Sequence, residues 1–109
     1  ILLAGLKDEA LEQYLRTTTF KRLTGATVVD PETLREHILA ARKQGYVWID
    51  GELDEAICGL AVPVRDQEGN TIAAINVSLP TGQVTQEEAL KLYLAELRQA
   101  ASQIRAATM

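Results

Sequence analysis

The sequence predicts an α+β domain, a small antiparallel sheet with helices packed on one face. Two apolar runs, ICGLAVPV and TIAAINVSLP, are separated by a short turn containing Gly69, the pattern of a β-hairpin. The segments on either side, 31–44 and 85–106, instead repeat their apolar residues at the helical period. The 109 residues suffice for one modest core and not for two.

The elements follow in order. Asp8 to about Arg16 reads as a short helix. Leu11 and Leu15 lie four apart with Tyr14 on much the same face, and Asp8 and Glu9 sit where the helix dipole favours acids. Thr17, Thr18 and Thr19 break the pattern, because β-branched hydroxyl residues favour turns and extended chain. RLTGATVVDPE, from Arg22 to Glu32, is a connector. Asp30 followed by Pro31 is a helix start, an N-cap and a first-turn proline. That helix runs to about Gln44 with Leu34, Ile38 and Ala41 on one face, and Gly45 ends it.

Tyr46–Ile49 reads as a short buried strand, GELDEA as an acidic loop, Ile57–Val64 as the next strand and Thr71–Leu79 as the last. TQEE, Thr85 to Glu88, is a capping box that opens a helix reaching Ala106. Its apolar stripe is Leu90, Leu94, Leu97, Ala101 and Ile104. The chain opens on ILLAGL without an initiator Met, like the end of an apolar helix, so further structure is expected upstream.

Composition limits the function. A net charge of −4 argues against nucleic-acid binding by this domain alone, since phosphate contacts dominate that affinity. No run approaches the ~18 apolar residues of a membrane span, and no secretory signal is present. A single cysteine, Cys58, excludes an internal disulfide and a cysteine-cluster metal site, and it suits a reducing cytoplasm. No glycine-rich nucleotide motif occurs, and no cofactor or metal is expected. His37 has no ligand partner in motif spacing and reads as structural. Cys58 has no resolving cysteine and reads as a small buried hydrophobe. Glu52, Asp54 and Glu55 lack the glycine-punctuated spacing of a calcium loop and read as solvated. Tyr46 and Trp48 read as core, with an aromatic wall or an oligomer contact as the other possibility.

The last strand carries the functional signal. Side chains alternate along a strand, so Ala73, Ile75, Val77 and Leu79 share an apolar face for the final helix. Ile72, Ala74, Asn76 and Ser78 share the other, opposite a strand bearing the small residues Gly59 and Ala61. A solvent face would carry long charged side chains. This one is small, neutral and mildly polar, which suits a pocket for a small polar ligand. It equally suits a face covered by another segment.

The span from Arg22 to Pro80 resembles the C-terminal effector-binding domain of IclR-type bacterial transcriptional regulators. The matching residues are Thr24, Thr27, Asp30, Leu34, Arg42, Gly45–Tyr46, Glu52, AVPVRD at 61–66, Gly69, AAI at 73–75 and Ser78–Pro80. The resemblance extends to the branch controlling aromatic-acid breakdown through the β-ketoadipate pathway. It implies a GAF-like sheet, with this chain as the C-terminal portion of the sensor. It also implies a winged helix-turn-helix outside this chain that binds DNA, and assembly as a homodimer or homotetramer. The implied ligand is a small organic acid, aromatic or short dicarboxylic. Its expected contacts are Asn76, Ser78, Gly59, Cys58, Ile49 and Trp48. In relatives hydroxyl or thiol side chains often stand at the places of Gly59, Asn76 and Ser78, and some carry an Asp at Ile49. Those departures imply a larger or more apolar ligand than a two- or three-carbon keto acid. A different class of function, an oligomerisation or protein-interaction domain without a working pocket, would be favoured by an exposed apolar stripe on the last helix with no stabilisation by ligand.

Overall fold

The hairpin forms where the two apolar runs place it. In the computed structural model β2 (Ile57–Arg65) and β3 (Thr71–Pro80) pair antiparallel, and β1 (Val47–Asp50) adds to the other side of β2. Residues 1–20, 24–25, 27–52 and 55–107 are described; Arg22 of the connector and Asp54 of the acidic loop lie outside them. The β2–β3 turn closes on Asp66, whose carboxylate accepts the backbone N–H groups of Glu68 and Asn70, each at 2.9 Å. Gly69 adopts φ +88° there, a conformation that side chains other than glycine resist.

Helix ends follow the local signals. Asp30 accepts from the Thr33 N–H at 3.3 Å and from its hydroxyl at 2.9 Å, opening α2 (Pro31–Gln44). Gly45, at φ +78°, closes it by donating to the Ala41 carbonyl. Thr85 and Glu88 cap each other reciprocally at 3.2 and 3.3 Å, opening α3 (Gln86–Ala107). α1 spans Asp8–Thr17, and a single 3-10 turn, Leu3–Gly5, precedes it.

Alternation sorts the sheet into two faces. Cys58, Leu60, Val62 and Val64 are buried on one. α3 lies on that face, with Leu94, Leu97 and Ala101 joining Val62, Val64, Ile75 and Tyr46 in one cluster. A second cluster unites the N-terminal elements: Ala4, Leu11, Leu15, Ile38 and Ala41, with Val47 packed against them. Val47 pairs with Ala61, on the face opposite α3. The α+β class therefore holds, but the helices divide. α3 covers one face, and the 3-10 turn, α1 and α2 reach the sheet from the side of the other. α1 and α2 are tied by Arg35, which contacts both Glu12 oxygens and Glu32, each at 2.7 Å.

Pro63 sits in the middle strand without disrupting it. β1 begins opposite Ala61 and runs away from Pro63, so one edge of β2 is unpaired at Pro63, where a missing N–H is tolerated. The molecule is flat, 38 × 38 × 18 Å. Its radius of gyration, 14.5 Å, exceeds the ~13 Å of a globular chain this long. Among the described residues the face opposite α3 is only partly covered, with Ile49 and Ile57 exposed.

Candidate functional site

The partly covered face bears Asn76 and Ser78. Ser78 lies directly opposite Gly59, Asn76 opposite Ala61, and Ile49 of β1 opposite Gly59 on its other side. Because the middle strand contributes only a glycine and an alanine there, a concavity of about 290 Å³ remains over the sheet. Ile1, Val47, Ile49, Ile57, Gly59, Ala61, Asn76 and Ser78 line it, with Cys58 at its border.

Its polar groups are neutral and mutually oriented. The Asn76 amide donates to the Ser78 hydroxyl oxygen at 3.2 Å. An amide and a hydroxyl together have further donor and acceptor capacity beyond that one bond. No charged side chain borders the cavity among the described residues. A neighbouring concavity of about 240 Å³ shares Ile1 and is lined by Arg42 and Arg65. None of the described ion pairs involves Arg65.

Five of the six residues singled out from the sequence come together here. Asn76, Ser78, Gly59 and Ile49 contribute directly. Cys58 is 2 % exposed, and its thiol donates to the Leu79 carbonyl at 3.4 Å on the α3 side. It can meet the cavity only through its main chain. Trp48 is the exception. It pairs with Leu60, on the opposite face, and borders instead a hollow with Asp50 and the residues leading into α3. Trp48 and Ile49 are consecutive in a strand and cannot face one side together.

Other lining residues were missed. Val47 and Ile57 follow from alternation once Ile49 and Gly59 are placed. Ile1 carries no such signal. Counting in twos groups Ile72 with Asn76. A register shift leaves it unpaired, so that Thr71 rather than Ile72 stands opposite Arg65 and lines the second concavity. His37 is exposed on α2, beside a separate groove between that helix and β1. No metal-binding cluster of His, Cys, Asp or Glu occurs among the described residues, and no helix among them is long and apolar enough to cross a membrane.

The loop that precedes β2 is held from a distance. The hydroxyls of Thr24 and Thr27 donate to the carbonyls of Gly51 and Glu52. The Thr81 hydroxyl donates to the Glu55 carbonyl at 2.9 Å. These bonds hold Gly51, Glu52 and Glu55, which lie between the cavity residues Ile49 and Ile57, without placing a side chain in the cavity.

An α+β unit with a neutral, half-open cavity on the sheet has the build of a small-molecule binding module. The chain belongs to the bacterial transcriptional regulator IclR C-terminal family, whose model matches residues 1–106. It is 39% identical over 94 residues to the Pca regulon regulatory protein of Pseudomonas putida, covering 86% of this chain and 32% of that protein. It superposes on a transcriptional regulator from Rhodococcus sp. RHA1 with TM-score 0.93 and 35% identity, over 97% of this chain and 43% of that one. It also superposes on the inducer-binding domain of a double mutant of PobR from Acinetobacter, solved with 3-hydroxybenzoic acid. There the TM-score is 0.88 at 32% identity, over 95% of this chain and 59% of that one. The chain thus spans about a third of its Pseudomonas putida relative's length.

Proposed function

We propose that this chain is the C-terminal portion of an effector-binding domain, and that its cavity receives a small aromatic or short dicarboxylic acid. The observation that carries the reading is the Asn76–Ser78 pair, joined at 3.2 Å over a floor of Gly59 and Ala61. Neutral donors and acceptors above an apolar floor suit a ring bearing a hydroxyl group. Burying an unpaired carboxylate is costly. The described residues lining the cavity offer that acid group no charged side chain, so it is assigned to the side of the cavity that they do not line. The relatives named for the Pca regulon and for PobR with 3-hydroxybenzoic acid support an aromatic acid.

The output is a shift between arrangements of a larger cytoplasmic regulator. Effector binds one arrangement more tightly and so biases DNA contact by a separate helix-turn-helix domain in a homodimer or homotetramer. No reaction is assigned to this chain. The oligomerisation reading is weaker. A continuous exposed apolar stripe on α3 would favour it, whereas the exposed Leu92 and Ile104 lie twelve residues apart, about 120° around the helix.

A thermal-shift screen tests the proposal with 3-hydroxybenzoate, 4-hydroxybenzoate, protocatechuate, β-ketoadipate and adipate. A ligand at a hundred times its Kd adds about 2.7 kcal/mol, several degrees in Tm. The expected result is a shift from one of these acids that Asn76→Ala abolishes, with little effect on the ligand-free Tm. A shift that survives in both Asn76→Ala and Ser78→Ala would place binding elsewhere. No shift from any of the acids would favour a face without a working pocket.

A further inference from the structure

One wall of the cavity comes from outside the sheet. Ile1 borders both concavities on the sheet face opposite α3, and it sits directly before the 3-10 turn Leu3–Gly5. A turn this short has little stability of its own. Ala4 is buried in the N-terminal cluster, against which Ile1 and Leu3 pack, and two further contacts from distant parts of the chain fix where the turn sits.

The first is Arg42 of α2. Its Nε donates to the Ala4 carbonyl at 3.0 Å, one terminal nitrogen donates to the Leu6 carbonyl at 2.8 Å, and the other meets an Asp8 carboxylate oxygen at 2.6 Å. One guanidinium thus takes up two carbonyls at the end of the turn and the first residue of α1. The second contact is backbone against sheet. A Cβ placed on Gly5 would lie 2.5 Å from the Thr71 Cβ, so no side chain fits between the turn and the start of β3. The turn is therefore strapped between α2 and the sheet, and Ile1 is delivered to the cavity edge.

We propose that Arg42 is a positioning residue for the cavity: by holding the 3-10 turn against Thr71 it sets Ile1 as the wall beside Asn76 and Ser78. The affinity consequence rests on the ligand-binding reading above; the positioning itself does not. Arg42 touches no ligand in this scheme. A lysine, with one compact ammonium, cannot serve three oxygens spread across a planar fork.

The test uses methyl-labelled protein and the variants Arg42→Gln, Arg42→Lys and Gly5→Ala. The first readout, without ligand, is the set of NMR cross-peaks from the Ile1 methyls to those of Val47, Ile49 and Ile57. The second is the Kd of 3-hydroxybenzoate. Arg42→Gln is expected to remove the Ile1 cross-peaks while those within the Leu11, Leu15 and Ile38 cluster persist, and to weaken binding at least fivefold. Arg42→Lys should fall between Gln and the parent. Gly5→Ala, which keeps the guanidinium, should displace the same wall.

Ile1 cross-peaks that survive in both Arg42→Gln and Gly5→Ala overturn the proposal. So does their loss with an unchanged Kd. If Arg42→Gln fails to fold, Arg42→Lys and Gly5→Ala decide by the same cross-peaks. If the parent protein does not bind 3-hydroxybenzoate, the aromatic-acid reading loses support, while the cross-peaks still decide the positioning.

Discussion

Gly59→Ala is expected to move stability and ligand affinity in opposite directions. Gly59 lies in the middle of the central strand and its φ is not positive, so alanine can adopt its backbone conformation without strain. Removing a strand glycine is worth about 0.5–1 kcal/mol, because the unfolded chain loses freedom it would otherwise regain. Against this stands one contact, as the new Cβ would lie 3.2 Å from the Val77 carbonyl oxygen. That distance asks β3 to yield by a few tenths of an ångström, which offsets part of the gain. The net expectation is a change between zero and about +1 kcal/mol, a rise in Tm of up to ~5 °C for a domain this size. The same methyl raises the cavity floor between Ile49 and Ser78, its neighbours across the sheet. A ligand seated on that floor would be overpacked at a cost of about 1–3 kcal/mol, or roughly 5- to 150-fold in Kd. Differential scanning fluorimetry and titration calorimetry with the responding acid measure the two effects. An unchanged Kd would show that the ligand does not rest on Gly59. A Tm lowered by more than ~5 °C would show that the strand cannot yield at Val77, and the stability argument would fail.

Leu60 is fully buried between β1, β3 and α3, so Leu60→Ala should cost about 2–5 kcal/mol, measured by urea unfolding; a cost under ~1 kcal/mol would mean that the site collapses around the cavity. Since no charged side chain lines the cavity among the described residues, 3-hydroxybenzamide should bind within about fivefold of the acid, the most that an exposed ion pair contributes. A preference for the acid that is larger and vanishes in Arg65→Gln would instead draw the carboxylate to the neighbouring concavity. Three carboxylates are held below their usual range: Glu12 chiefly by hydrogen bonds from Arg35, Asp30 chiefly by the Thr33 side chain, and Asp66 chiefly by the Asn70 backbone N–H. Lowered folded-state values mean that their stabilisation is complete above the unfolded range near pH ~4 and is lost as pH falls through the folded values. The Tm should thus be insensitive to these groups between pH 5 and 7 and should decline below about pH 4. In Glu12→Gln combined with Asp66→Asn the decline should be shallower.

Much of the architecture was readable because its causes are local. Asp30 with Pro31, Gly45, and Thr85 with Glu88 act within one helical turn, and the chain obeys them whatever surrounds it. Alternation placed Asn76 and Ser78 on one face and Gly59 and Ala61 opposite, since a strand has only two sides. The rest depended on choices that local sequence leaves open. Whether Trp48 or Ile49 faces the cavity depends on which of them pairs with Gly59, and that register is set by β1 docking on β2. The shift at Val64/Arg65 exchanged Ile72 for Thr71, a one-residue change that counting in twos cannot detect. Ile1 reached the cavity, and Arg42 reached the turn that carries it, across intervals of more than thirty residues. Sequence by itself determined the helix ends, the strand faces and the neutral chemistry of the polar pair, because each is decided by a residue and its near neighbours. Only the tertiary structure decided the walls of the cavity, because a wall exists where distant segments pack, and packing is a property of the whole chain.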